Sequence, residues 1–220
     1  QVRPRVVSIT QTTELGTVYR PEEMAALAEC ARDLGLFLHV DGTRFANAAS
    51  ALDVELRAIS ADVGVDVLSF GGTKNGLLLG EAVVFFNEAL AEDYRYSRKQ
   101  GMQLASKMRF ISAQFSALLE GDLWLRSAAH ANAIARKLES MVRKIPGVEV
   151  MQRAEANAVF ARLPQAVIPL LQEHFFFYVW DAARGEVRWM TSFDTTEEDV
   201  RAFVERTASI MEQFQKEHCT

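Results

Sequence analysis

The chain has 220 residues, 49% of them apolar and 24% charged, with 24 Lys and Arg against 29 Asp and Glu and a formal net charge of −5. That balance belongs to a folded protein and excludes a general nucleic-acid binder, which needs a basic surplus. No apolar run approaches the roughly 18 residues of a membrane span, and two cysteines, Cys30 and Cys219, exclude a disulfide scaffold and lack zinc-site spacing. No metal site is expected.

The first residue is Gln1, not Met, and the chain enters at once into a strand over residues 5–10, without a signal-peptide pattern. This abrupt start predicts a missing upstream segment. Pro21 suits a first helical position, and Glu22 and Glu23 favour the first turn of a helix. Met24, Leu27, Ala28, Ala31 and Leu34 then share one face, and Gly35 stops the helix. Residues 36–40 read as a strand buried on both faces, ended by Asp41-Gly42. A polar, Ala-rich segment leads to strands over 65–70, ended by Gly71-Gly72, and 81–86. Strand, helix, strand, crossover and strand make an α/β arrangement.

Beyond residue 88 the pattern predicts long helices over 102–120 and 122–144, the second stopped by Pro146-Gly147. A smaller α+β unit follows, with strands over 158–163, 175–180 and 186–192 and a short helix interrupted by Pro169. The last helix opens at Thr195 with Glu198 as a capping box. Residues 175–178 (Phe-Phe-Phe-Tyr) read as core. The expected domains are residues 1–121 and 122–220.

Chemistry concentrates at two strand ends. Asp41 closes one buried strand and Lys74 follows the next, in Gly71-Gly72-Thr73-Lys74-Asn75-Gly76. Taken singly, each reads as a turn residue. Together they place a carboxylate and an amine in glycine-containing turns at the ends of strands, where open α/β sheets bind ligands. A positioned lysine forms a Schiff base with an aldehyde, and a carboxylate is the partner a pyridinium nitrogen needs. His39 reads as a core histidine rather than a base.

Three segments carry a resemblance. Residues 39–48 (His-Val-Asp-Gly-Thr-Arg-Phe-Ala-Asn-Ala), 69–76 (Ser-Phe-Gly-Gly-Thr-Lys-Asn-Gly) and 186–194 (Glu-Val-Arg-Trp-Met-Thr-Ser-Phe-Asp) resemble, in order, motifs of the L-threonine aldolases of low specificity. The likeness covers almost the whole chain. It implies an aspartate-aminotransferase-like α/β fold (fold type I), with a large domain incomplete at its N-terminus and a small C-terminal α+β domain.

The resemblance also implies pyridoxal 5'-phosphate (PLP) as cofactor, held by Lys74, with Asp41 on its ring nitrogen. Arg44 and Arg188 would bind the carboxylate of an amino-acid substrate, Arg44 also lying by the cofactor. Lys99, Arg109 and Thr12 are further candidates, the first two in a basic segment that reaches across a subunit boundary in the family. The implied reaction cleaves L-threonine or L-allo-threonine to glycine and acetaldehyde. A β-eliminating lyase, a phenylserine-type aldolase and a non-catalytic fragment are the alternatives. A cytoplasmic homodimer or homotetramer, with sites at the subunit interface and no nucleic-acid or membrane partner, is expected.

Overall fold

The computed structural model describes residues 2–218; Cys219 lies outside them. The chain divides into two compact units. One runs to Glu14 and from Val18 to Ala128, and the other comprises Leu15–Thr17 and the chain from Ala129 on.

The first unit is built on a four-stranded sheet in the order β1 (Val6–Thr10), β2 (Phe37–Gly42), β3 (Val67–Gly71), β4 (Glu81–Phe85). The first three strands are parallel and β4 returns antiparallel to β3. Helix α1 (Pro21–Asp33) carries the chain from β1 to β2, and α2 (Phe45–Leu52) follows β2. Pro21 is the first residue of α1, and the Arg20 N–H donates to the Glu23 side chain at 2.7 Å, which ties down the helix start. Leu38, Val40, Leu68 and Phe70 form one sheet face and pack with Met24, Ala28, Phe45 and Ala49 in a continuous core.

The expectation that β2 is buried on both faces is corrected. Its residues alternate, with Leu38 and Val40 buried and Phe37, His39 and Asp41 half-buried. The apolar run concealed a period of two because His39 and Asp41 alone mark the polar face.

The expected helix over 102–120 is also corrected. Helix α3 (Tyr94–Gln100) ends before it, and α4 (Met108–Leu119) begins six residues past the expected start at 102. Met102 takes a left-handed backbone conformation, φ 56°. Its N–H donates to the Lys99 carbonyl at 3.1 Å and that of Gln103 to the Arg98 carbonyl at 2.9 Å. These are the two bonds of a Schellman termination, usually built on glycine at the left-handed position. Here Gly101 stands one residue too early to signal it.

The second unit takes most of α5 (Leu123–Val142) and an antiparallel sheet in the order β5 (Glu149–Val150), β6 (Ala158–Arg162), β8 (Glu186–Met190), β7 (Tyr178–Asp181). Helix α6 (Val167–Gln172) lies between β6 and β7, and α7 (Glu197–His218) closes the described chain. Pro169 sits in the first turn of α6, where its missing N–H interrupts no helical bond. Leu138, Val159, Leu171, Val187, Trp189 and Met211 are central to this unit's core.

Two further expectations shift. The cap of α7 is Thr196 with Asp199, one residue beyond the predicted pair. The Thr196 N–H donates to the Asp199 carboxylate at 2.8 Å, and the Asp199 N–H donates to Thr196 Oγ1 at 3.1 Å. The aromatic run over 175–178 is only half core. Phe177 is buried and Phe175 packs on the core, whereas Phe176 is 85% exposed and Tyr178 is 56% exposed. Strand β7 begins only at Tyr178, and alternation carries its side chain away from the core.

Candidate active site

β2 and β3 are hydrogen-bonded neighbours running in the same direction, with Asp41 in register with Ser69 and Gly42 with Phe70. The turns that follow them therefore lie side by side. Their approach is extremely close. A Cβ placed on Gly71 would lie 2.3 Å from the Thr43 carbonyl oxygen and 2.7 Å from its Cα, and one on Gly42 would lie 2.9 Å from the Ser69 carbonyl oxygen. Only glycine admits such contact, so the glycines flanking Asp41 and preceding Lys74 are dictated by packing.

Asp41, half-buried, is oriented by its own turn. Its Oδ1 accepts from the Thr43 N–H at 3.1 Å and from Thr43 Oγ1 at 2.6 Å. Both bonds fall on one oxygen, and Oδ2 takes no hydrogen bond from the described residues. Such an Asx turn leaves a carboxylate with a fixed plane and one free acceptor.

Lys74, exposed, sits in a single 3-10 turn, Thr73–Asn75, held on all sides. The Thr73 N–H donates to the Gly80 carbonyl at 3.1 Å, and the Gly80 N–H returns a bond to Thr73 Oγ1 at 3.1 Å. Glu81 accepts from the Gly72 N–H at 2.9 Å. Asn75, 3% exposed, donates its amide to the Trp124 carbonyl at 3.2 Å. The turn closes at Gly76, φ 111°.

On the same sheet face as Asp41, two residues back along β2, the His39 ring bridges neighbouring strands. Nδ1 pairs with Ser8 Oγ at 2.8 Å and Nε2 with Ser69 Oγ at 3.0 Å. The histidine is thus a cross-strand tie. Thr12, 6% exposed, follows the C-terminal end of β1 after Gln11, whose N–H donates to the Asp41 carbonyl at 2.9 Å. Arg44 stands at the N-terminus of α2, half-buried.

The parallel strand ends therefore gather Thr12, Asp41, Arg44 and Lys74. Lys99 on α3 and Arg109 on α4 are exposed elsewhere in this unit, the latter with its guanidinium carbon 5.0 Å from the Phe110 ring centre. Arg188 belongs to the other unit, half-buried on β8 between Phe160 of β6 and Tyr178 of β7. Sequence reasoning missed Thr43, Asn75 and Glu81. Thr43 at i+2 from Asp41 could have been found as an Asx-turn partner, but the others act through pairings 49 and 9 residues away along the chain.

A mostly parallel sheet with carboxylate and lysine at adjoining strand ends, followed in sequence by a small antiparallel unit, is the architecture of the aspartate-aminotransferase-like, fold-type I proteins. The structure is similar to a PLP-dependent aminotransferase from Streptococcus suis, with TM-score 0.73, 19% identity, and 97% of this chain and 59% of that chain covered. The beta-eliminating lyase profile matches residues 1–166, and the chain belongs to that family.

The chain is 47% identical over 209 residues to a low specificity L-threonine aldolase of a Pseudomonas species, covering 95% of this chain and 60% of that protein. It is also similar to the Leishmania major threonine aldolase structure, with TM-score 0.85, 30% identity, and 96% of this chain and 62% of that chain covered. The chain thus spans about 60% of the length of the relatives it matches.

Proposed function

We propose that the protein is a PLP-dependent L-threonine aldolase, cleaving L-threonine or L-allo-threonine to glycine and acetaldehyde. The observation that carries the proposal is the pairing of Lys74 and Asp41 at the ends of adjacent parallel strands, on turns that touch through Gly71 and Thr43. The similarity to threonine aldolases supports it.

The donor set fits the cofactor. Lys74 offers an amine to its aldehyde from a braced turn, and Asp41 keeps Oδ2 available for the ring N–H while Thr43 holds Oδ1. Bound PLP would supply an electron-accepting ring for the pair released from the Cα–Cβ bond. Asp41 holds the proton on the ring nitrogen. Arg188 and Arg44 bind the substrate carboxylate, for which a guanidinium fork suits a bidentate grip and fixes orientation. In the net reaction the β-hydroxyl hydrogen is lost, its carbon becomes the aldehyde carbonyl, and Cα gains a proton.

On the same reading the enzyme is a cytoplasmic homodimer or homotetramer. Lys99 and Arg109 serve a neighbouring subunit's site, and Thr12 lies beside the cofactor. Residues 1–121 belong to the cofactor domain, and residues 122–220 form the linking helix and small domain. Among the described residues no helix is long and apolar enough to cross a membrane.

The test is borohydride reduction of the protein expressed from its whole reading frame and loaded with PLP, followed by peptide mapping. The adduct is expected on Lys74; finding it on Lys99 or Lys107 overturns the site. Glycine and acetaldehyde are the expected products, and release of a 2-oxo acid with ammonia would replace the aldolase by a β-eliminating lyase.

A further inference from the structure

The second unit holds a cavity of about 230 Å³ among its aromatic side chains. Leu138 of α5, Val200 and Phe203 of α7, Trp189 of β8, and Phe175 and Phe177 just before β7 line it. The rings meet edge to face, Trp189 with Phe203 at 5.0 Å and 72°, Phe177 with Trp189 at 6.3 Å and 87°, and Phe175 with Phe203 at 5.1 Å and 70°. Aromatic pairs favour this arrangement, so a further ring can enter on the same terms.

One wall of the cavity carries an unmet polar group. Alternation along β8 puts Trp189 with Val187 on the core side, away from Arg188. Trp189 is 3% exposed, and its Nε1–H is buried without a hydrogen bond to any described residue. A buried indole N–H usually has a partner, and leaving the bond unmade is unfavourable. The neighbouring rings of Phe177 and Phe203 have no acceptor to offer. The threonines of the lining are engaged elsewhere: Thr191 Oγ1 donates to the Ala131 carbonyl at 2.7 Å, and Thr195 Oγ1 accepts from the Ser192 N–H at 2.9 Å.

The lining also selects by charge. Among the described residues it includes no Lys, Arg or His, and its one ionisable group is the Asp199 carboxylate. An anion meets repulsion there. A cation would suit Asp199 but would leave the indole N–H unmet.

We infer that this cavity binds an uncharged, single-ring aromatic ligand bearing a hydrogen-bond acceptor, a phenol in kind, with Trp189 Nε1–H as the donor. An apolar cavity of about 150 Å³ takes benzene, so the volume here suits one ring with one or two small substituents. The ring packs among Phe177, Trp189 and Phe203, and the ligand oxygen accepts from the indole. The hydrogen of the phenol is left for Asp199, of which Thr196 engages only Oδ2. No residue of the Lys74 site takes part, so a protein that failed to cleave threonine would still bind the ligand.

Calorimetric titration of the protein expressed from its whole reading frame tests this with phenol, toluene, benzoate and benzylammonium. Phenol and toluene have nearly the same size and differ in the acceptor. Phenol is expected to bind one site with Kd below about 1 mM. It should bind at least as tightly as toluene, although toluene leaves water more readily, and more tightly than either charged ligand. In Trp189→Phe the ratio of phenol to toluene affinity should fall about fivefold. Val200→Phe, which fills the cavity from α7, should remove the binding of both. The ranking is read on the unaltered protein, so it decides even where a variant fails to fold. Phenol binding weaker than about 1 mM, or weaker than that of any of the other three, overturns the site. So does an unchanged ratio in Trp189→Phe, or undiminished phenol binding in a folded Val200→Phe protein.

Discussion

Gly71 and Thr43 are in backbone contact: a Cβ on Gly71 would sit 2.3 Å from the Thr43 carbonyl oxygen. Through this contact the turn that carries Asp41 and the turn that carries Lys74 are set against each other. Gly71→Ala must push apart two backbones, since no flexible side-chain end is there to give way. Overpacking of this kind costs about 1–3 kcal/mol or more. The expected outcome is a lower urea-unfolding midpoint together with poorer PLP retention. An alanine variant with both properties unaltered would show that the turns are not coupled.

Thr43 is expected to matter through Asp41. Thr43→Val removes the hydroxyl donor to Oδ1 and keeps the backbone one. A hydrogen bond to a charged group contributes about 1.5–3 kcal/mol, so turnover should fall roughly tenfold or more, and Thr43→Ser should recover it. Asp41→Ala removes the group itself. That loss should be far larger, several orders of magnitude in kcat, with PLP still attached to Lys74. Steady-state kinetics on the three variants checks the order; equal losses for Thr43→Val and Asp41→Ala would contradict it.

Asn75 ties the lysine turn to the start of α5. Its amide bonds the Trp124 carbonyl from a position only 3% exposed. Asn75→Ala removes that bond and opens a small gap in a buried position, at a cost of about 0.5–1.5 kcal/mol for the bond. The first consequence to look for is slower uptake of PLP by the stripped protein, read from the growth of cofactor absorbance. Asn75→Asp should be worse than alanine, because it places a charge where a neutral amide donates.

Much of this arrangement is written locally. Asp41-Gly42 and Gly71-Gly72 punctuate β2 and β3, and parallel neighbours sharing a crossover helix put both strand ends on one edge. Pro21 with its two glutamates marks α1 in the same local terms. The rest depends on partners distant in sequence. The brace from Asn75 to Trp124 and the bulge that turns Trp180 toward Arg188 have no signature in their own segments. Met102 ends α3 in a conformation its side chain disfavours, so the end of that helix was invisible to residue preference. The aromatic run misled because four apolar residues conceal an alternation that only the onset of β7 at Tyr178 reveals.

The N-terminus of α7 should respond to acid. Hydrogen bonds from the Thr196 side chain and backbone N–H hold the Asp199 carboxyl below its ordinary value of 3.8. A carboxyl whose folded value is depressed stabilises the fold above its unfolded value, and that contribution disappears as pH falls through the folded one. The midpoint difference between the parent and Asp199→Asn should therefore stay constant from neutral pH to about pH 5 and shrink below about pH 4. Thr196→Ala, which removes the cap from the other side, should cost about 1 kcal/mol at neutral pH. A difference that grew on acidification would reverse the assigned sign.

Arg188 offers the sharpest separation of substrate binding from cofactor binding. It lies on β8 among aromatic rings, in a different unit from Lys74. If it grips the carboxylate, Arg188→Ala removes a charge-assisted, bidentate partner, and losses of about 1.5–3 kcal/mol raise KM for threonine about tenfold or more. Arg188→Lys keeps the charge but not the planar fork, and a point charge cannot fix the direction of the Cα–Cβ bond, so it should recover only part of the loss. On this assignment Arg188 binds substrate and not cofactor, so neither change should alter the absorbance of the PLP-loaded protein without substrate. Arg162→Lys serves as the control, since that side chain is committed to Glu149 and Glu186 on the same sheet face; its KM should stay within about twofold. Normal kinetics in Arg188→Ala would move the carboxylate to Arg44, and the same measurements on Arg44→Ala would then be expected to show the rise.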